Sequence, residues 1–260
     1  SGPIPFARFM EMALYYPGLG YYERPRPQTG RRGDFYTSVS VGRVFGELLA
    51  FQFCDWLALQ IVEVGAHDGR LALDILTWYR QHRPDLLERL QYWIIEPSAN
   101  RRQGQEAALQ GFRDRVKWSE SWSDIPSRSV RGVIFANELL DAFPVHRLGW
   151  DAGKRAWFEW GVSLAVDRFA WTPLSANSPE DAKRGRSFPC PQVPAELLAV
   201  LPDRFTIEVS PAAETWWRQA AAALDEGRLM TLDYGLSAAQ FFSPERAGGT
   251  LRGFAKHHQN

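Results

Sequence analysis

The sequence predicts an α/β protein. A doubly wound parallel sheet is preceded by a helical lid segment and interrupted by a β-rich, partly antiparallel insertion. Three observations carry this reading. Apolar β-branched runs alternate with helical stretches through the first half of the chain, which is the rhythm of a parallel sheet with crossover helices. A glycine-containing loop joins the first such run to its helix. The alternation breaks after Pro144 into short runs separated by turn residues, and resumes near residue 204.

Composition permits this fold. The chain has 260 residues, 45% apolar and 23% charged, enough for one large domain with an insertion and too apolar for disorder. Lys+Arg and Asp+Glu balance at 30 each, so no basic footprint points to nucleic acid. No apolar run approaches the roughly 20 residues of a membrane helix, and Ser1-Gly2-Pro3 opens neither a signal nor a transit peptide. Cys54 and Cys190 form neither a zinc spacing nor a disulfide framework. The expectation is a soluble protein of a reducing compartment: the cytoplasm, or the mitochondrial matrix for a processed eukaryotic protein.

The elements follow in order. Residues 1–60 read as the N-terminal helical and lid segment, with a helical period over 4–14, a turn at Tyr15-Tyr16-Pro17, an irregular Gly/Pro/Arg-rich stretch over 18–33 and an apolar helix over 44–59. Residues 61–144 read as the α/β core, with strands at 61–65, 92–95, 116–118 and 130–136 and helices at 71–79, 84–90 and 99–109. Residues 145–203 read as the insertion, with short antiparallel strands at 145–150, 156–160 and 168–171. Residues 204–260 read as the return of the core, through a strand at 205–209, a helix at 211–224 and a strand at 228–233.

Two stretches carry the chemistry. In "IVEVGAHDGRLAL" Gly65 and Gly69 stand between a strand and a helix, with Glu63 two residues ahead. Glycine lets backbone approach a ligand and allows positive φ. A dinucleotide loop wants three glycines spaced G-x-G-x-x-G, and His67 occupies the middle position; the Gly-Lys-Ser/Thr of a phosphate loop is absent too. A bland strand-to-helix turn is the competing reading. The second strand ends in Glu96, where this fold holds ribose hydroxyls. Glycine loop and acid together point to a nucleoside ligand without phosphates, which suggests S-adenosylmethionine.

On these residues the sequence resembles the class I methyltransferases, with their Rossmann-like sheet, and within them the MidA family. That family includes a mitochondrial complex I assembly factor that is a protein arginine methyltransferase. The resemblance rests on "MALYYPGLGYY" (12–22), "GDFYTSVSVGRVFGELLA" (33–50), "EVGAHDGRL" (63–71), "IIEPSANRRQGQ" (94–105), "FANELLDAFPVH" (135–146), "IEVSPAA" (207–213), "LDYG" (232–235) and "GTLRGF" (249–254), in that order. It implies S-adenosyl-L-methionine as cofactor and a cofactor site drawn from Phe35, Thr37, Ser38, Glu63, Gly65, Ala66, His67, Gly69, Glu96, Pro97, Ser98, Ser121, Trp122 and Asn137. Ser121-Trp122 is expected near the adenine, and 21–22 with 33–38 as a covering lid. The family usually has glycine where this chain has His67, and its blocks continue past Asn260.

The second stretch is "VIFANELLDAFPVH" (133–146), a buried strand followed by Asn137, Glu138 and Asp141. The fourth strand of a class I methyltransferase ends beside the transferable methyl, so Glu138 and Asp141 are the expected catalytic pair. Two carboxylates can grip a guanidinium bidentately. In the resembling arginine methyltransferases a second glutamate follows about nine residues on; Arg147 stands there, leaving Asp141 or Glu208 to replace it. Simple helix capping by Asn137 and Asp141 is the competing reading. Arg101-Arg102 reads as a solvated face. The expected partner is a protein substrate presenting arginine, with no nucleic acid and no membrane insertion; homodimer formation stays open. Two rivals remain: a non-catalytic methyltransferase-like docking protein, motivated by His67, and a nicotinamide-dependent oxidoreductase, disfavoured by the glycine count.

Overall fold

A computed structural model describes residues 2–23, 42–174, 188–255 and 258–259. The chain divides into two compact units: one built from the described residues of 1–24, 143–214 and 235–253, the other from those of 25–142, 215–234 and 254–260.

The α/β unit begins with α2 (Val44–Asp55), following β1 (Ile4–Pro5) and α1 (Phe6–Tyr15) of the other unit. Then come β2 (Gln60–Val64), α3 (Arg70–His82), the single turn α4 (Pro84–Leu87), β3 (Gln91–Ile95), α5 (Ala99–Ala108), β4 (Val116–Ser119) and β5 (Val130–Asn137). The unit is completed by α7 (Pro211–Ala223), which runs across the boundary, and β10 (Leu224–Leu232). The sheet order is β10-β5-β2-β3-β4 and every pairing is parallel. Strands covered on both faces have no polar side to show, hence the unbroken Ile61-Val62 and Val133-Ile134-Phe135-Ala136 runs, all buried. Helix α3 presents Leu71, Ala72, Ile75, Leu76 and Tyr79 to the core, the i, i+4 spacing of one helical face. Helix α2 adds Phe53, whose ring lies 5.3 Å from that of Phe135. The short join from α2 to β2 is made by Leu57 at φ 54, a left-handed turn that lets Ala58 N–H reach back to the Phe53 carbonyl.

The second unit is antiparallel. Its strands are β6 (His146–Asp151), β7 (Ala156–Ala165), β8 (Arg168–Leu174) and β9 (Thr206–Val209), with α6 (Ala195–Leu198) between the last two. β6 pairs with both β7 and β9, β8 pairs with β7, and Ile4–Pro5 pairs with Gly161–Val162. The core here is Leu148, Trp150, Trp157, Leu201, Phe205 and Ile207.

Two expected boundaries move. The 205–209 strand does not return to the α/β core, because β9 pairs antiparallel with β6, Leu148 opposite Ile207; the parallel sheet resumes at β10. A four-residue apolar strand carries no mark of which sheet it joins. The 1–60 segment also divides: Phe6 and Phe9 pack on Trp171 and Phe169 of the antiparallel unit, while α2 packs on α3. The lid stretch over 33–38, with the candidate residues Phe35, Thr37 and Ser38, lies outside the described residues. Among the described residues, no helix is long and apolar enough to cross a membrane.

Candidate active site at the carboxyl ends of the parallel strands

The chain leaves β2 for β3 and β4 on one side, then crosses back to β5 and β10 on the other. In an open parallel sheet that reversal leaves a crevice beyond the strands' carboxyl ends, where ligands bind. The residues that follow those ends in this unit are Gly65 after β2, Glu96 after β3, Ser121 after β4, Glu138 after β5, and Asp233-Tyr234 after β10.

The glycine loop is built on left-handed backbone. Gly65 has φ 74, His67 φ 47 and Gly69 φ 80. A Cβ at Gly65 would lie 2.7 Å from Leu139 Cδ1, so a side chain there would push Leu139 aside as well as strain the left-handed backbone. Gly69 N–H closes the turn on the Ala66 carbonyl (2.7 Å) and Gly69 caps α3. Ala66 is buried; His67 takes a left-handed conformation that suits glycine.

Glu63 lies beneath this loop, 2% exposed, and accepts a hydrogen bond from the Tyr92 hydroxyl at 2.7 Å. Burial, opposed by that bond and helped by Asp68, raises its pKa from 4.5 to about 7. The folded state thus keeps a proton that the unfolded chain releases. The protein is therefore more stable below pH 4.5 on this account and loses that stability as pH rises from 4.5 to about 7. We expect Glu63→Gln to remove this dependence, gaining about 3 kcal/mol over wild type between acid and alkaline ends of that window. Urea unfolding of both proteins on either side of the window measures it, and parallel pH profiles would refute it.

Glu96 is 4% exposed. Its Oε1 accepts Ser98 N–H at 3.0 Å and its Oε2 accepts Gln105 Nε2 at 3.4 Å. Burial pushes its pKa up, against Ser98, Arg101, Gln105 and His67. The Ser98 side chain makes no capping bond on α5; its backbone serves Glu96 instead. Pro97 is exposed beside it. Arg102 is not a solvated face: it donates to the Glu96 and Pro97 carbonyls at 2.8 and 3.0 Å and pairs with Glu120 at 2.6 Å. At the end of β4, the Ser121 hydroxyl caps the turn Trp122–Asp124 by accepting Ser123 N–H, and the Trp122 ring lies edge-on to Trp216 at 6.4 Å.

At the exit of β5, Asn137 ends the strand and Glu138 sits at φ 48, its N–H bonded to the Leu232 carbonyl at 2.8 Å. The Tyr234 phenol is raised above its ordinary pKa by burial and by the neighbouring charges of Glu138, Asp141 and Asp233. The capping role that Asn137 or Asp141 could have filled belongs to Asp233, whose Oδ2 accepts the N–H groups of Leu140 (2.9 Å) and Asp141 (3.3 Å). The Asp141 carboxylate is exposed, yet partial burial of its surroundings and the charges of Asp233 and Glu138 raise its pKa from 3.8 to about 6. Three carboxylates and a phenol thus meet at two adjacent strand ends, an arrangement that favours a cation. Glu208 lies in the antiparallel unit, where its carboxylate accepts from Arg147 Nε (3.2 Å), Thr250 N–H (2.7 Å) and Thr250 Oγ1 (2.8 Å).

Asp233, Tyr234 and Gln105 were not among the residues expected from sequence. Asp233 and Tyr234 lie within "LDYG", where an acid at a strand exit was the available signal. Gln105 closes the block "IIEPSANRRQGQ", but a polar residue in a polar helical stretch carries no mark of burial.

The chain matches the family model Methyltransf_28, described as S-adenosyl-L-methionine-dependent methyltransferase, over residues 44–260. It is 27% identical to human "Protein arginine methyltransferase NDUFAF7, mitochondrial" over 291 residues, covering 99% of this chain and 60% of that protein. It is 32% identical to the zebrafish (Danio rerio) protein of that name over 184 residues, 58% of this chain and 42% of that one. It superposes, with TM-score 0.74 and 30% identity, on a Burkholderia thailandensis crystal structure bound to S-adenosyl-homocysteine, covering 99% of this chain and 65% of that one. The chain thus spans about three fifths of the human relative's length and less than half of the zebrafish relative's. With the family model matched over more than four fifths of its length, this chain belongs to the MidA-type family of S-adenosyl-L-methionine-dependent methyltransferases.

Proposed function

We propose that this chain binds S-adenosylmethionine and directs its methyl group to an arginine side chain of a protein. The observation that carries the reading is the placement of Glu138: directly beyond a buried strand, in left-handed backbone, its N–H bonded to the Leu232 carbonyl, with Asp141 and Asp233 close enough to couple to it. A side-chain-bearing residue held in that conformation is strained and persists only where its surroundings impose it. The backbone that carries the carboxylate is thereby fixed at the strand exit.

The residues at the other strand ends fit the cofactor. A buried Glu96 at the end of β3 has acceptor capacity for ribose hydroxyls, and a loop of left-handed residues lacking the phosphate-binding pattern suits a nucleoside. When bound, S-adenosylmethionine supplies an electrophilic methyl on a sulfonium. The chain's contribution is position and charge. Glu138 and Asp141 accept N–H groups of the guanidinium, hold its positive charge away from the attacking nitrogen and fix its direction, and the carboxylate cluster takes up the proton that this nitrogen loses on methylation. We assign the second carboxylate to Asp141 because Glu208 is already taken by Arg147 and Thr250. The two free cysteines, Cys54 and Cys190, are compatible with a reducing compartment such as the cytoplasm or matrix.

Incubating the protein with methyl-labelled S-adenosylmethionine and the soluble proteome of its source cells tests the assignment. Acid hydrolysis of the labelled band should release methylarginine. Label confined to lysine, to carboxyl groups or to small molecules would overturn the acceptor assignment, and no transfer with any acceptor would support a docking role.

A further inference from the structure

We propose that Gln105 is the positioning residue of the cofactor site, setting the plane of the Glu96 carboxylate and the path of the glycine loop together; this rests on the S-adenosylmethionine reading above. Gln105 stands on α5, a helix whose other residues are largely polar and partly or fully exposed, yet it is completely buried. A buried amide must satisfy its hydrogen-bonding groups, and here each one is met by a different element. Trp118 Nε1, on β4, donates to Gln105 Oε1 at 3.1 Å. Gln105 Nε2 donates to the His67 carbonyl at 3.0 Å and to Glu96 Oε2 at 3.4 Å.

Chemistry allows only one orientation of this amide. An indole N–H can only donate, and a backbone carbonyl can only accept. The oxygen must therefore face Trp118 and the nitrogen must face His67, which aims the second N–H at Glu96. Glu96 then receives one donor on each oxygen, Ser98 N–H on Oε1 and Gln105 on Oε2. The carboxylate cannot rotate, and each oxygen keeps an acceptor site, side by side, as two neighbouring hydroxyls require. The same amide restrains His67 in its left-handed conformation, and the stem of Gln105 packs at 3.4 Å from where a Cβ on Gly69 would lie. Loop and acid, which arrive from different strands, are thus locked to one another through a side chain that touches no ligand.

A core glutamine with a purely structural part would affect stability alone. The two roles separate in the affinity of the whole chain for S-adenosyl-homocysteine, measured by calorimetry between about pH 6 and 8.5, beside the melting temperature. Gln105→Leu should weaken binding about 10- to 100-fold at every pH, the scale for buried acceptors left unsatisfied. Gln105→Glu should bind worse as pH rises, because two touching carboxyls cannot both ionise, and should recover most of its affinity at the acid end. Trp118→Phe, which frees the amide to turn over, should weaken binding by a few fold. Leu and Glu variants that fold and bind like wild type, or a Glu variant whose pH profile runs parallel to wild type, would overturn the proposal. If the Leu variant does not fold, the pH profile of the Glu variant decides alone. A wild-type protein that binds no S-adenosyl-homocysteine would overturn the cofactor reading and this proposal with it.

Discussion

Glu138→Gln is expected to lower methyl transfer on the order of 10²-fold or more, while leaving S-adenosyl-homocysteine affinity nearly unchanged. The substitution keeps the shape, so the left-handed backbone and the bond from Glu138 N–H to the Leu232 carbonyl stay in place. What it removes is charge and one of two acceptor oxygens. A guanidinium is always protonated and presents donors in a fixed fork, so a neutral amide loses the charge-assisted grip and offers a donor where an acceptor is needed. The loss falls on positioning, which is where a direct displacement draws its rate. The Tyr234 phenol, held above its ordinary pKa by burial and by the charges of Glu138, Asp141 and Asp233, should titrate lower in the variant because one of those charges is gone. Single-turnover transfer and calorimetry on the same preparation check this. Normal transfer sinks the assignment, and so does a parallel loss of cofactor binding, which would move Glu138 into the cofactor pocket or the fold.

The second large effect is expected at Glu96. Glu96→Ala should weaken S-adenosyl-homocysteine binding about 10- to 100-fold, since a hydrogen bond to a charged group contributes roughly 1.5–3 kcal/mol. Folding should not suffer in proportion. Burial already pushes the Glu96 carboxyl above its ordinary range, because the anionic form is unfavourably placed there. Removing that anion offsets part of the packing lost. The expected signature is a melting temperature close to wild type with strongly reduced affinity, measured by differential scanning calorimetry and titration. An unchanged dissociation constant would show that the ribose lies elsewhere; a collapse of stability without folded protein to titrate would make Glu96 a structural residue.

The parallel sheet was legible because burial on both faces writes itself as continuous apolar runs. Ile61-Val62, Tyr92 to Ile95 and Val133 to Ala136 are such runs, and all pair where the alternation placed them. Gly65 and Gly69 were legible for a related reason: the positive φ of a tight strand-to-helix turn, 74 and 80 here, favours glycine. Glu96 and Glu138 stood out as carboxylates at apolar strand exits, where they need partners. The antiparallel character of the stretch after Pro144 was legible from its turn residues and short alternating runs.

The remainder depends on which distant segments meet. No local pattern in Thr206–Val209 says that it pairs with β6 instead of joining the parallel sheet, because pairing is decided by the partner strand's exposed edge. Asp233 takes the capping role at Leu140 and Asp141 from more than ninety positions away, so the sequence alone could not free Asp141 from that duty. Glu208 looked available until Arg147 and Thr250 were found on it. Gln105 is polar in a polar helix, and only the tertiary packing of α5 against Trp118, His67 and Glu96 buries it and gives its amide one orientation. Sequence by itself determined which backbone conformations and which burial each segment prefers, since those follow from a residue and its near neighbours. Tertiary structure decided which polar atoms are consumed and which remain for a ligand, since hydrogen-bond partners are set by proximity in space.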